Sequence, residues 1–344
     1  MRANHDRLDG RRSGGQRGAI LIWVALFLLV LIGLTSLGID MAKVMATHTQ
    51  LQNAADAAAL AGASAIDPGT GKISPDTAIV RAQSIASYNE AFVDGMEPVL
   101  LDPSDVAVTD TTVTVTARRE GSDAMVTYIA KVFGVTSLEL HADATALIEP
   151  TNTVDCGIVP LAALPPAGGG QFQPGCSNVY YLKTASQGGS TGNYQALRFP
   201  ACSNGQGNCG GTTGSSAFRC LLKYGMCCPM SIGDQLAPET GNMSGSTRDG
   251  ISYRFQQDTD QRTGICYSDY HGNGQRLVTV PITTPPSNGS SFVTVLGFAE
   301  FFLVNIPGSG SNSTIQGEFV NAAVPGSGRG TPSPAAAYNL RLIE

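Results

Sequence analysis

The feature of this sequence that most constrains its fold is an uncharged apolar run near the N-terminus. The run from Gly18 to Ile39 reads GAILIWVALFLLVLIGLTSLGI, 22 positions without a charged side chain. As a helix it would be about 33 Å long, which matches the hydrocarbon thickness of a bilayer. The apolar region of a cleavable signal peptide is shorter, at roughly 7–15 residues. The run therefore predicts a transmembrane helix over residues 18–39 that stays in the membrane as an anchor.

Charge is distributed unevenly on the two sides of this run. Residues 1–17 contain five arginines, including Arg11, Arg12 and Arg17, and two aspartates, a net charge of +3. The rest of the chain has 16 basic and 25 acidic residues, a net charge of −9. Basic flanks resist translocation, so we expect residues 1–17 to be a cytoplasmic tail and the residues after the span to be exported. An acidic exported part argues against nucleic acid as a partner, because phosphate binding requires lysine and arginine.

The cysteines all lie between residues 156 and 266, far beyond the apolar run. Their number is even, as expected for disulfides formed in an oxidising compartment. Cys202-x6-Cys209 and Cys220-x6-Cys227 lack the two-to-four-residue spacing of zinc sites and no histidine lies near them, so no metal is expected. Eight cysteines allow 105 pairings, which leaves the connectivity open, and the adjacent Cys227 and Cys228 are expected to bond elsewhere. The disulfide candidates are Cys156, Cys176, Cys202, Cys209, Cys220, Cys227, Cys228 and Cys266.

The segment after the anchor predicts a small α+β domain over residues 40–149. Strong helix formers continue past the span without a break, and Asp67-Pro68-Gly69 stops them. Ser74-Pro75-Asp76 has the composition of a helix start. The predicted elements are a first helix to about Ile66, a second helix from Pro75 to about Glu90, a hairpin of Asp105–Thr109 with Thr112–Ala117, a short helix over Ala124–Phe133 and a strand over Ser137–Ile148.

Small residues recur at a spacing of four along the first helix. They form two adjacent rows, Ala54/Ala58/Gly62 and Ala55/Ala59/Ala63. Such rows allow another backbone to approach closely. The sequence leaves two interpretations open, packing against the chain's own domain and packing against a second molecule.

Pro150 and the polar Thr-Asn-Thr after it mark a boundary, and Gly/Ser/Asn-rich stretches follow, which predicts a second exported domain over residues 150–344. Charged residues are only 14% of the whole chain and glycine occupies 41 positions, a balance that favours loop-rich β structure. The last three predicted strands suggest one antiparallel sheet, because Phe292–Val304 is long and mostly aliphatic or aromatic. The predicted strands are Val179–Lys183, Tyr253–Gln256, Arg276–Ile282, Phe292–Val304 and Ile315–Val320. The whole chain is therefore expected to be α+β, with a transmembrane helix extended into a small α+β domain and then a glycine-rich, disulfide-stapled β domain.

Residues that could carry chemistry are few. The chain has four histidines, of which His141 is expected on a strand and His271 in a loop. A Ser244 and His271 pair is conceivable, but a catalytic triad depends on geometry that a sequence does not give. Asp258-Thr259-Asp260 resembles the start of a calcium loop, yet Arg262 occupies the next ligand position, so an exposed acidic turn is expected instead. No catalytic residue, metal site or cofactor is predicted.

The N-terminal segment resembles the TadE/TadG-type proteins of Tad (Flp) pilus assembly. The resemblance is carried by Arg17-Gly18 before the apolar run, Gly38-Ile39-Asp40 at its exit and LQNAADAAALAG over residues 51–62. It covers roughly residues 15–150. It implies a single-pass component of the bacterial inner membrane, with its N-terminus in the cytoplasm and its bulk in the periplasm. The implied partners are other Tad pilus-assembly proteins or minor pilins.

Two departures limit what the resemblance implies. Pilin-like relatives that are processed usually carry Glu at the fifth position after the cleaved glycine, where this chain has Trp23. Longer TadG-like proteins often carry a metal-binding Asp-x-Ser-x-Ser motif, which this sequence lacks. Processing into a pilus shaft and metal-dependent adhesion are therefore not expected here.

Two functional hypotheses follow. The first is a non-enzymatic, membrane-anchored component of Tad pilus assembly that contacts the secretion platform or minor pilins. The second is an anchored periplasmic or surface binding module, or a hydrolase, whose cysteine-rich part holds a ligand or substrate.

Overall fold

The computed structural model describes residues 17–166, 172–183, 193–199, 209, 213–285, 291–310, 313–330 and 336–343. Within them the chain folds as an α+β protein with a long N-terminal helix and a β-rich second half. The helices are α1 (Arg17–Ala63), α2 (Pro75–Ala86), α3 (Gly214–Tyr224) and α4 (Ser244–Gln257). The strands of the first part are β1 (Glu90–Phe92), β2 (Met96–Pro98), β3 (Val106–Val108), β4 (Thr112–Arg119), β5 (Met125–Val126), β6 (Ser137–Leu138) and β7 (Leu140–Val154).

The second part contributes most of the strands. They are β8 (Tyr180–Leu182), β9 (Asn193–Arg198), β10 (Met230–Ser231), β11 (Gln235–Thr240), β12 (Leu277–Thr283), β13 (Val293–Leu303), β14 (Ile315–Val320), β15 (Ala322–Ala323), β16 (Gly326–Arg329) and β17 (Ala337–Ile343). The antiparallel sheet predicted from the last three apolar segments is confirmed, because β13 pairs with β12 on one side and with β14 on the other. Strands β8, β11 and β9 complete this sheet.

The core of the first part lies between α1, α2 and a sheet centred on β7. The hairpin predicted around Asp110-Thr111 forms, with β3 antiparallel to β4, and β4 pairs along β7 from Leu140 to Leu147. Alternate residues of β4 are buried, as the period of two requires. The buried side chains of this core are mainly alanine and valine, which brings the helices close to the sheet.

Strand β7 connects the two parts of the chain. It was expected to end at Ile148, but it runs through Pro150 to Val154. Its other edge pairs with the C-terminal strand β17, from Thr145 opposite Ile343 to Pro150 opposite Tyr338. The division of the chain at residue 150 stays a prediction, and the sheet includes strands from both sides of it.

Two of the predicted elements are wrong. Tyr253–Gln256 was predicted as a strand and lies inside α4, where Ile251 and Phe255, one helical turn apart, are both buried against α3. Close packing of the two helices requires Gly250, because a Cβ there would lie 2.5 Å from the Cβ of Leu222. Ala124–Phe133 was predicted as a helix, and only Ala130–Phe133 is helical, as a short 3-10 turn after β5.

Candidate functional site: the anchor helix and its junction with the core

The apolar first half of α1 is exposed along nearly all of its described side chains. No part of its apolar window is buried, and Trp23 is 74% exposed. Among the described residues it is the one helix that is long and apolar enough to cross a membrane. Exposed apolar surface costs about 25 cal/mol per Å² in water, so this surface requires lipid or another protein around it. Arg17 is the first residue of the helix, whereas Arg11 and Arg12 lie outside the described residues.

Asp40 marks the point where α1 leaves the apolar stretch and enters the core. Its carboxylate is buried and accepts hydrogen bonds from the backbone N–H groups of Tyr128, Ile129 and Ala130, at 2.9, 2.9 and 2.7 Å. These bonds, the one from Tyr128 first, hold the pKa of Asp40 below its ordinary value. A helix over the whole of Ala124–Phe133 would need these three N–H groups for its own backbone hydrogen bonds. They donate to Asp40 of α1 instead, so only the short 3-10 turn forms.

Lys43 lies one helical turn further on and is buried as well. Its Nζ donates to the carbonyl oxygens of Val126 at 2.8 Å and Val93 at 3.2 Å. The ammonium also lies 4.3 Å from the ring centroid of Tyr128, where the ring face attracts a cation. Asp40 thus accepts from main-chain N–H groups of the segment around β5, and Lys43 donates to one of its main-chain carbonyl oxygens. Together the two side chains hold this segment against α1.

The small residues of α1 pack inside the chain's own core. Ala54, Ala55, Ala58, Ala59 and Ala63 have no exposed surface. A Cβ at Gly62 would lie 2.9 Å from Cγ1 of Val113 and 3.3 Å from the carbonyl oxygen of Ala78. Of the two interpretations left open by the sequence, the structure favours intramolecular packing. The exposed apolar stretch before Asp40 takes no part in this core.

The cysteines of the described residues are bonded. The pairs are Cys156 with Cys227, Cys176 with Cys266 and Cys209 with Cys220. Cys228 is also disulfide-bonded, and Cys202 lies outside the described residues. The bond from Cys156 fastens the segment after β7 to the loop after α3, so the two parts of the chain are joined covalently as well as through the sheet.

The predicted acidic turn at Asp258 and Asp260 is not exposed, and that expectation is wrong. Both side chains are buried. Asp258 accepts hydrogen bonds from the Tyr270 hydroxyl and the backbone N–H of Arg276, and Asp260 forms an ion pair with Arg262. The hydrogen bonds from Arg262 hold the pKa of Asp260 below its ordinary value. The turn binds the protein's own cations and N–H groups, which occupy the oxygens that a calcium ion would need.

Arg276 organises this cluster and was not singled out in the sequence. Its side chain is fully buried, and the guanidinium donates to the carbonyl oxygens of Leu303, Asp260 and Arg262. It also lies 4.4 Å from the Phe255 ring centroid. The signal that could have found it is an arginine opening a strand of otherwise apolar residues, since such a charge must have partners. Through Arg276 the cluster joins the turn at 258–262 to the end of β13.

A second buried cation, Lys183, was also missed. Its Nζ donates to Asn242 at 3.1 Å and Ser313 at 2.9 Å, and burial lowers its pKa to about 8. The non-glycine residues with left-handed φ in the described part of the chain are Lys183, Gln195 and Met243. Gln195 accepts from the backbone N–H of Lys183, and Met243 follows Asn242. Each such conformation costs roughly 1–3 kcal/mol, and those at Lys183 and Met243 lie beside the contact between Lys183 Nζ and Asn242.

The conceivable catalytic pair does not form. Ser244 is the first residue of α4 and His271 lies in the loop after it, and no hydrogen bond joins them. In the part of the chain that the structure describes, no group of three His, Cys, Asp or Glu side chains could hold a metal ion. An open cleft of about 480 Å³ lies elsewhere, beside Arg198, Asp234, Leu236 and Phe292.

These features define a class of protein: an α+β body, stapled by disulfides, built onto one helix that is a candidate membrane span. Residues 18–65 match the model of the family described as "Putative Flp pilus-assembly TadE/G-like". The resemblance stated from the sequence is therefore confirmed over this segment, which contains Asp40, Lys43 and the small residues of α1. No curated protein and no solved structure matches the chain.

Proposed function

We propose that this protein is a non-enzymatic, membrane-anchored component of Flp pilus assembly. The observation that carries the proposal is the family match at residues 18–65, which coincides with the part of α1 that runs from the exposed apolar stretch into the buried core. In this role α1 crosses the inner membrane, the basic tail stays in the cytoplasm and the disulfide-bonded body lies in the periplasm. The disulfides of the described residues support an oxidising location for that body.

The continuity of α1 supports a role in positioning other components. A single helix of 47 residues leaves no hinge between the span and the core, and Asp40 and Lys43 fasten the body to it directly after the span. The body therefore keeps a fixed position relative to α1. Such an arrangement suits a subunit that holds its exported surface against the secretion platform or a minor pilin.

A deletion experiment tests this proposal. We expect an in-frame deletion of the gene to abolish or sharply reduce surface pili, counted by electron microscopy and by immunoblotting of the sheared fraction. The full chain supplied in trans should restore them. As a control, a chain in which Gly18–Ile39 is replaced by an unrelated uncharged run of the same length separates anchoring from specific contacts within the membrane. Normal piliation in the deletion strain would overturn the proposal.

The second candidate function is an anchored binding module, and the cleft beside Arg198 and Phe292 favours it. Phe292 is exposed there, and Arg198 is paired with Glu239 at 3.0 Å. A ligand held in this cleft would raise the melting temperature of the full-length protein in detergent. A thermal-shift screen with glycans and peptides, with Phe292→Ala as the control, would detect such a ligand. If no compound changes the melting temperature, the assembly role is favoured.

A further inference from the structure

The segment around β5 descends along α1 toward the apolar stretch. The Thr47 hydroxyl contacts Met125 Sδ at 3.1 Å. Lys43, one turn earlier on α1, binds the carbonyl oxygen of Val126 at 2.8 Å, and Asp40, almost another turn earlier, binds the N–H of Ala130 at 2.7 Å. As the chain proceeds from 125 to 130, its partners on α1 step from 47 to 40. Each turn is about 5.4 Å, so the segment moves toward the end of α1 that carries the span.

The same segment is one side of a hairpin whose tip is exposed. Strand β5 pairs with β6, and the backbone N–H of Thr127 donates to the carbonyl oxygen of Thr136 at 3.1 Å. The tip therefore comprises residues 128–135. Val132 is 76% exposed, Tyr128 is 45% exposed and Lys131 is exposed.

The position of this tip determines what surrounds it. Asp40, which binds the tip backbone, directly follows Ile39, the last residue of the apolar run. If the run spans a bilayer, Asp40 lies at the membrane surface, and a hairpin descending past it reaches the headgroup layer. Exposed valine at that depth is removed from water, tyrosine rings favour the interface, and the lysine ammonium can reach lipid phosphates.

We infer that the hairpin tip, residues Tyr128–Val135, lies in the interfacial layer of the same membrane and gives the protein a second contact with lipid beside α1. The inference rests on the anchor in the proposed function. A single helix can rotate about its axis, whereas a helix and a hairpin tip set apart from it define both tilt and rotation. The tip would thus fix which face of the body is turned toward its assembly partners.

The chain offers a direct test, because Trp23 is its single tryptophan and lies in the span. The full-length protein is reconstituted in vesicles made either with ordinary phosphatidylcholine or with phosphatidylcholine brominated on the acyl carbons nearest the headgroup. Bromine quenches tryptophan on contact. Wild-type Trp23 reports the anchor. In a Trp23→Phe background, quenching of Val132→Trp reports whether the tip contacts lipid, and Val80→Trp is the matched control.

Val80 is suited to this control because it is 64% exposed on α2. Helix α2 packs near Gly62, about 33 Å along α1 from Asp40. We expect Val132→Trp to lose emission in brominated vesicles and to emit at shorter wavelength than Val80→Trp, which should be unaffected by bromine. Quenching of Trp23 with no difference between Val132→Trp and Val80→Trp would overturn the inference and leave the anchor intact. Absence of quenching at Trp23 would overturn the inference together with the anchor.

Discussion

The carboxylate of Asp40 and the backbone N–H of Ala130, ninety positions apart in the sequence, are joined by a hydrogen bond of 2.7 Å. The bond connects the end of the candidate span to the hairpin formed by β5 and β6. Because Asp40 and Lys43 both bind main-chain groups, the contact depends on the path of the hairpin backbone more than on its side chains. The junction between anchor and body is thus defined by two residues of α1.

The first prediction concerns this junction. Asp40→Asn keeps an acceptor but removes the charge that strengthens three hydrogen bonds, so we expect faster amide exchange at Tyr128, Ile129 and Ala130 and a lower melting temperature. Asp94→Asn is the control, because Asp94 is exposed nearby. Equal exchange in the two variants would contradict the proposed role of Asp40.

The pH dependence of the same variant has a defined sign. The pKa of Asp40 is lowered in the folded protein, chiefly by the bond from Tyr128. Its stabilising contribution is therefore present above the unfolded pKa, about 3.9, and is lost as the pH falls through the folded value. The difference in melting temperature between wild type and Asp40→Asn should be constant near neutrality and should shrink below about pH 4.

A second prediction concerns the approach of α1 to the sheet. Gly62→Ala places a Cβ 2.9 Å from Val113 Cγ1. Overpacking of this kind costs about 1–3 kcal/mol, against a gain of about 1 kcal/mol in helix propensity. We expect net destabilisation in thermal unfolding. Gly245→Ala is the matched control, since Gly245 lies on α4 with nothing within 4 Å of its added Cβ; destabilisation of both to the same extent would contradict the packing argument.

Glu300 gives a third prediction. It is buried on β13 opposite Thr279, one of its oxygens has no hydrogen-bond partner, and burial raises its pKa to about 7. A raised folded pKa gives stability that is present at low pH and is lost as the pH rises toward and through 7.

Glu300→Gln should therefore match wild type at pH 4 and be more stable at pH 8, by on the order of 3 kcal/mol. Chemical unfolding at both pH values measures this. The exposed Glu90→Gln serves as control, with no difference expected at either pH. A Glu300→Gln variant that is less stable than wild type at pH 8 would show that the buried carboxylate is required as an anion.

The disulfides give a fourth prediction. Cys209 and Cys220 are 11 residues apart, whereas Cys176 and Cys266 are 90 apart. A bridge that closes a longer loop restricts the unfolded chain more, by about 1–2 kcal/mol for this difference in length. Replacing Cys176 and Cys266 together by alanine should lower the free energy of unfolding more than replacing Cys209 and Cys220. The reverse order would contradict the chain-entropy argument.

The sequence predicted elements well where one local pattern determines the structure. The 22 uncharged residues of the apolar run and the period-two alternation of Thr112–Ala117 are of this kind, because helix length and strand alternation need no distant partner. The family motif was also local. By contrast, Tyr253–Gln256 is helical since Phe255 packs on α3, which lies some thirty residues earlier in the chain.

The polar sites were harder to predict for the same physical reason. Asp258 and Asp260 read as an exposed turn until Arg276 and Tyr270 are brought to them by the fold. Asp40 was noticed as part of a motif, but its function as an acceptor for Tyr128–Ala130 depends on a hairpin some ninety residues away. The cysteine pairs likewise require the fold, because spacing alone does not select among their combinations.

In the proposed function, α1 crosses a membrane and carries the disulfide-bonded body on the outer side. Protease accessibility in intact spheroplasts tests it most directly, using the full chain with one epitope at each end. We expect added protease to remove the C-terminal epitope while the N-terminal epitope survives on a short membrane-bound fragment. A C-terminal epitope that is digested only after the spheroplasts are lysed would contradict the account.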